Sequence, residues 1–203
     1  AMEPVVTPRL IVVRGPSGSG KTTVARLLFE RAVRRVCLIE QDHYRFIFRP
    51  AGGGSLPNSA TIHRMIEHNV MTALVDGFDV ILEGILSVRS YGPVLDRLFS
   101  AGVSENFLYS FDVSLDETLR RHRTRVTTDC GFTEDDMRDW YPHAHPWGHE
   151  LEQLIPESAS LDDIAVQSLQ TGKKAAAIVI DDTAVTPRYV VGAAAERELP
   201  IVA

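Results

Sequence analysis

The sequence predicts a three-layer α/β fold, a five-stranded parallel sheet with helices on both faces, within one domain spanning residues 1–203. Three observations predict it. Short apolar runs of strand length alternate with segments of helical periodicity, and that alternation builds right-handed βαβ units whose sheet is covered on both sides. Polar residues suited to chemistry stand where the apolar runs end, and open α/β sheets bind ligands beyond the carboxyl ends of their strands. Finally, 203 residues with 44% hydrophobic and 24% charged content suffice for one core and fall short of two.

Residues 9–13 (Leu10, Ile11, Val12, Val13) read as a buried strand running into glycine-rich sequence. Residues 21–35 space Val24, Leu27, Leu28 and Val33 as an amphipathic helix, and 36–40 is a second strand. Residues 50–58, with Pro50, Pro57 and Gly52 to Gly54, read as a mobile loop. A helix follows from Ser59 through Ile62, Ile66, Val70 and Leu74, closed by Gly77. Residues 78–82 form a third strand, 91–101 a helix ended by Gly102, and 106–113 a fourth strand. A capping box, Ser114 to Glu117, opens a helix over 114–126. Residues 127–156 are polar, 161–170 helical, and 175–180 a fifth strand.

Gly15-Pro16-Ser17-Gly18-Ser19-Gly20-Lys21-Thr22 matches the phosphate-binding loop G-x-x-x-x-G-K-[ST] in full, with a strand before it and a helix after it. Each position has a chemical reason. A loop around a triphosphate turns its amides inward, which residues without an obstructing Cβ permit. Lys21 brings a charge to the β- and γ-phosphates, Thr22 a hydroxyl to Mg²⁺, and the helix its positive end. The nucleotide site is therefore read as Gly15, Ser17, Gly18, Ser19, Gly20, Lys21, Thr22 and Thr23, with ATP and Mg²⁺ as cofactors. The fold class is then a P-loop NTPase.

A kinase needs a carboxylate beside the γ-phosphate to take the acceptor's hydroxyl proton. Asp42, just past the second strand, stands where such a base belongs, and Glu83 closes the third strand on the same crevice. Glu83 is suited to substrate hydroxyls or to a magnesium-bound water. Glu40-Gln41-Asp42-His43-Tyr44-Arg45 and Leu82-Glu83-Gly84 resemble small-molecule P-loop kinases of the zeta-toxin, chloramphenicol-phosphotransferase and gluconate/shikimate-kinase type, within the bacterial AAA family ATPase/predicted kinase group. The resemblance implies that Asp42 is the base and binds the acceptor. Arg45 reads equally as a substrate contact or as a partner of a nearby acid.

Arg120, Arg121, Arg123 and Arg125 cluster at a helix end. Guanidinium groups stabilise the charge that spreads over a transferring phosphoryl group. Arg121 and Arg125 share one helical face. The resembled kinases begin their lids with such arginines, so these two are the candidates and a mobile lid over about 127–150 follows. His143, His145 and His149 are read as loop residues rather than metal ligands.

A net charge of −6 argues against a nucleic-acid-coating surface. Cys37 and Cys130 form no disulfide framework, and no apolar run reaches membrane-spanning length. The expectation is a cytoplasmic monomer or homodimer that moves the γ-phosphate of ATP to a hydroxyl of a small molecule: a nucleoside or nucleotide, a sugar, or an antibiotic. The alternative is a regulatory P-loop ATPase acting on a protein partner.

Overall fold

The structure is a computed structural model that describes residues 6–48, 59–124 and 132–159. Its strands are β1 (Arg9–Arg14), β2 (Val36–Glu40), β3 (Asp79–Gly84), β4 (Glu105–Asp112) and β5 (Glu152–Pro156). They form one sheet in the order β2-β3-β1-β4-β5, and every neighbouring pair is parallel. Between them run α1 (Lys21–Glu30), α2 (Gln41–Phe46), α3 (Ser59–Val75), α4 (Val88–Ser100), α5 (Leu115–Arg123) and α6 (Glu134–Trp140), the last continued by a 3₁₀ turn at Tyr141–His143.

Successive strand residues point to opposite faces, so β1 feeds two cores. Leu10 and Val12 join Val80, Leu82 and Leu108 against Ile66, Val70 and Leu74 of α3 and Leu95 and Leu98 of α4. Ile11 and Val13 join Ile81, Tyr109 and Phe111 against Val24 and Leu28 of α1. Strands β1 and β3 are buried at every position, as their unbroken apolar interiors require of the middle of a parallel sheet. Helix α3 ends at Gly77, whose φ of 78° takes the left-handed turn that closes such helices.

The structure departs from the sequence reading in four places. The fifth strand of the described sheet is β5, at the end of the polar segment 127–156 and just past the expected lid; residues 175–180 and the helix at 161–170 lie outside the described residues. Only Ile155 of β5 is buried, so this edge strand carries little apolar signal. Strand β2 is also an edge rather than an interior strand covered on both sides, with Ile39 alone fully covered. The turn after β2 is a helix, α2, too short for a periodicity to declare itself. The capping box at α5 is half formed: Ser114 Oγ accepts from the Glu117 amide at 3.3 Å, but Glu117 pairs with Arg120 and Arg121, and Glu157 accepts from the Ser114 amide instead. A complete box, Thr133 with Asp136, opens α6.

Candidate active site

The loop between β1 and α1 lies at the carboxyl end of the central strand. Gly18 holds φ at 81°, and a Cβ there would stand 2.9 Å from the Thr118 carbonyl oxygen and 3.1 Å from Met137 Cε. Helices α5 and α6 thus press on the loop from outside, and only glycine fits between them. Lys21 is buried, and its ammonium donates to the Pro16 carbonyl across the loop at 3.4 Å. Ser19 Oγ is buried with no partner among the described residues. A buried orphan hydroxyl, a buried lysine and a glycine cradle are what a bound anion would satisfy, so the residues present fit a nucleotide phosphate.

Glu83 ends β3 against this loop. Its Oε2 accepts from Thr22 Oγ1 at 3.2 Å. Burial pushes its pKa up to about 7; Lys21 and the Thr22 hydroxyl oppose that, while Glu40 and Asp42 add to it. Glu40 itself turns toward Arg26, whose Nε donates to it at 2.8 Å. Asp42 is exposed in the first turn of α2, and its charge acts on two groups, Glu83 and the Tyr91 hydroxyl. Burial pushes the Tyr91 phenol up to about 12, against a hydrogen bond with Gln41 and the charge of Arg45.

Beyond Asp42 opens a cavity of about 490 Å³ bounded by α2, α3, the start of α4 and the end of α6. Its walls include Gln41, Arg45, His63, Tyr91, Arg89 and Trp140. Arg45 therefore faces a cavity and has no carboxylate partner among the described residues.

Arg121 stands at the loop. One terminal nitrogen donates to the Ser19 carbonyl at 2.8 Å, the other to the Glu157 carbonyl at 3.0 Å, and Nε to Glu117 at 2.6 Å. Arg120 only grips Glu117 from the surface, and Arg123 pairs with Glu134 of α6. Arg125 lies outside the described residues, as do residues 127–131 of the expected lid; the described remainder of the lid includes α6 and its 3₁₀ turn, and Met137 of α6 packs on the loop. His149 Nδ1 accepts from the Leu151 amide at 3.0 Å, and its ring stacks near Trp147 and Phe99.

Two features escaped sequence reasoning. Gln41 is buried beside Gly84, where a Cβ would collide with its side chain, and its Oε1 accepts from the Leu86 amide at 3.1 Å. It ties α2 to the β3–α4 turn, in which Leu86 holds a positive φ of 42°. Arg14, next to the loop, is fully buried and donates to Ser110, Glu152 and the Leu86 and His145 carbonyls. Glu152 also accepts from Ser110 and from the Trp147 and Gly148 amides. Burial pushes the Glu152 pKa up, but these hydrogen bonds and Arg14 outweigh it and hold the carboxylate below its usual range. An arginine at a strand end carries no sequence mark separating this lock from a solvated charge.

The AAA domain family matches residues 10–141. A family described as a protein of unknown function (DUF808) matches residues 153–203, most of which lie outside the described residues. No curated protein matches the chain significantly. Among solved structures, the chain is similar to a sugar kinase from Janibacter sp. HTCC2649, with TM-score 0.61 and 16% identity over 81% of this chain and 93% of that one. It is similar to a gluconokinase from Sinorhizobium meliloti 1021, with TM-score 0.57 and 20% identity over 80% and 90%. It is also similar to the tunicamycin resistance protein of Deinococcus radiodurans, with TM-score 0.57 and 16% identity over 79% and 93%. No described helix is long and apolar enough to cross a membrane. The sheet order, the loop at its centre and the match over residues 10–141 together show that the chain belongs to the AAA domain family and has the α/β fold of the small P-loop kinases.

Proposed function

We propose that the chain is an ATP-dependent phosphotransferase that moves the γ-phosphoryl group to a hydroxyl of a small molecule held in the cavity beside α2. The observation that carries this reading is the position of Asp42. Its carboxylate is within electrostatic reach of Glu83, which touches Thr22 of the loop, and of Tyr91 in the cavity wall. A general base for phosphoryl transfer has to stand between those two sites.

Bound magnesium–ATP would supply the phosphoryl group and neutralise part of its charge. The chain's own residues do the rest. The loop amides of Ser17 to Thr23 would hold the phosphates, and Lys21 would swing from the Pro16 carbonyl onto the terminal ones. Thr22 would hold the magnesium ion through its hydroxyl, and Glu83, no longer accepting from Thr22, would be able to orient an acceptor hydroxyl or a water beside the ion. Asp42 takes the hydroxyl proton as that oxygen bonds to phosphorus and the bond to the β-phosphate oxygen breaks. Arg121 brings positive charge to Ser19 and Gly20, and Arg125 is proposed to share this role on the sequence argument alone.

A regulatory ATPase acting on a protein partner would need no cavity of metabolite size next to its base, and the cavity favours the kinase reading. The test is purified chain with magnesium and ATP against a panel of hydroxylated metabolites and antibiotics. Phosphate is expected on one of them, abolished by Lys21→Ala. ATP turnover that depends on a protein partner, with no acceptor phosphorylated, overturns the reading.

A further inference from the structure

We propose that the acceptor is an anion: a hydroxyl compound that also carries a carboxylate or a phosphate, gripped by Arg45 and Arg89 in the cavity beside Asp42. This rests on the phosphotransfer reading and narrows it to a class of acceptor.

The first argument is charge. Among the described residues, Arg45 and Arg89 are the arginines lining the cavity, and no carboxylate lines it. Neither guanidinium has an ion-pair or hydrogen-bond partner among the described residues. That sets them apart from Arg14, Arg97 and Arg123, each held by a carboxylate. Guanidinium is a planar fork matched to carboxylate and phosphate oxygens, so two of them turned into one cavity form a receptor for such a group. Burial lowers the His63 pKa, which leaves that ring a neutral hydrogen-bonding wall at neutral pH.

The second argument is placement. Arg45 follows Asp42 by three residues in α2, so the two share a side of the helix about 4.5 Å apart along its axis. A small molecule can therefore present its hydroxyl to Asp42 and its anionic group to Arg45. Ser59, Ser87 and Ser90 offer hydroxyls to a polar skeleton, and Ile62 and Trp140 an apolar wall. An anionic acceptor approaching a triphosphate and Asp42 is repelled unless cations accompany it. A neutral acceptor would require neither arginine.

The test uses the full chain with its loop saturated by magnesium and the β,γ-imido analogue of ATP, titrated with inorganic phosphate, malonate and neutral glycerol. Binding is read by calorimetry and by Trp140 fluorescence. Phosphate or malonate is expected to bind and glycerol not, and preference between the two anions distinguishes a phosphorylated acceptor from a carboxylic one. Arg45→Gln/Arg89→Gln should weaken anion binding at least about tenfold while still binding the nucleotide analogue, which shows that it is folded. Arg89→Glu should abolish anion binding. Equal anion affinity in wild type and the double variant, or none in either, overturns the inference. Its failure is separable from that of the phosphotransfer reading. Anion binding through both arginines without phosphate transfer to any hydroxylated anion sinks phosphotransfer alone. Phosphorylation of a neutral acceptor, undiminished in the double variant, sinks the anionic class alone.

Discussion

Strand β3 carries a buried carboxylate at each end, and the two are treated oppositely. Asp79 opens the strand and is 2% exposed; Glu83 stands near its close and is 3% exposed. Asp79 accepts from the Arg9 amide and from Arg9 Nε, each at 2.9 Å, and Arg34 adds a contact at 3.1 Å. Glu83 has a hydroxyl at 3.2 Å, two more acids nearby and a lysine that opposes them only partly. A buried charge that is fully paired is structural, because every lone pair is already used. A buried carboxylate left short of cations has capacity for one that arrives later. The difference separates the end of the sheet that holds the fold from the end proposed to hold a ligand.

The largest effect is expected at the closed end. Asp79→Ala strands the Arg9 guanidinium and the Arg9 amide in the interior, and breaking such a pair costs about 3–5 kcal/mol. Urea denaturation should show that loss in the midpoint, while the folded fraction binds nucleotide as before, since the site lies at the far end of β3. A nucleotide affinity that fell with stability would show the two ends to be coupled and would break the contrast.

At the open end the sign is reversed. The pKa of Glu83 is raised in the fold, from 4.5 to about 7. The folded state therefore binds the extra proton between those values, so this group's contribution to stability is fully present below about 4.5 and is lost as pH rises through 7. At 1.36 kcal/mol per unit, the loss reaches up to about 3 kcal/mol. Glu83→Gln should remove it: the variant is expected to match wild type near pH 4.5 and exceed it at pH 8. Parallel pH profiles of denaturation midpoint in the two proteins would mean that Glu83 is not held near neutrality.

How much of this was legible depended on whether a residue's role lies in its type or in its surroundings. Gly18, Lys21 and Thr22 were readable because phosphate chemistry demands those types at that spacing, and β1, β3 and β4 because the middle of a parallel sheet is apolar throughout. Strand β5 was not, since an edge buries little, and its Glu152 serves Arg14 rather than the core. Gln41 and Arg14 take their roles from neighbours distant in sequence, Leu86 at 45 and 72 positions respectively. The same limit applied to Arg45, which reads in the sequence equally as a salt-bridge partner or a ligand group; its place in the cavity wall comes from the packing of α2 against α3 and α4.

The comparison sharpens at Asp42, whose charge is exposed and has no ion-pair or hydrogen-bond partner among the described residues. Asp42→Asn keeps size and hydrogen bonding and removes only the proton acceptor. Turnover should fall about 10²-fold or more, equivalent to about 2.7 kcal/mol of transition-state stabilisation, with nucleotide affinity unchanged in equilibrium titration. Unchanged turnover would exclude Asp42 as the base and reassign its negative charge to raising Glu83.

The smallest effect belongs to a charge pair outside both ends. Arg120 and Arg121 both bind Glu117 and hold its pKa down to about 2, yet only Arg121 goes on to touch the loop at Ser19. Arg120 is an exposed partner whose ion pair water and salt screen, so Arg120→Ala should leave the denaturation midpoint and turnover nearly as they were. Arg121→Ala removes the donor to the Ser19 carbonyl as well as the pair, so its effect should appear in turnover and nucleotide affinity together. Steady-state kinetics on the two variants side by side decide the point. If Arg120→Ala lost as much activity as Arg121→Ala, contact with the loop would not be what distinguishes a working arginine on α5, and the helix would act through its total charge.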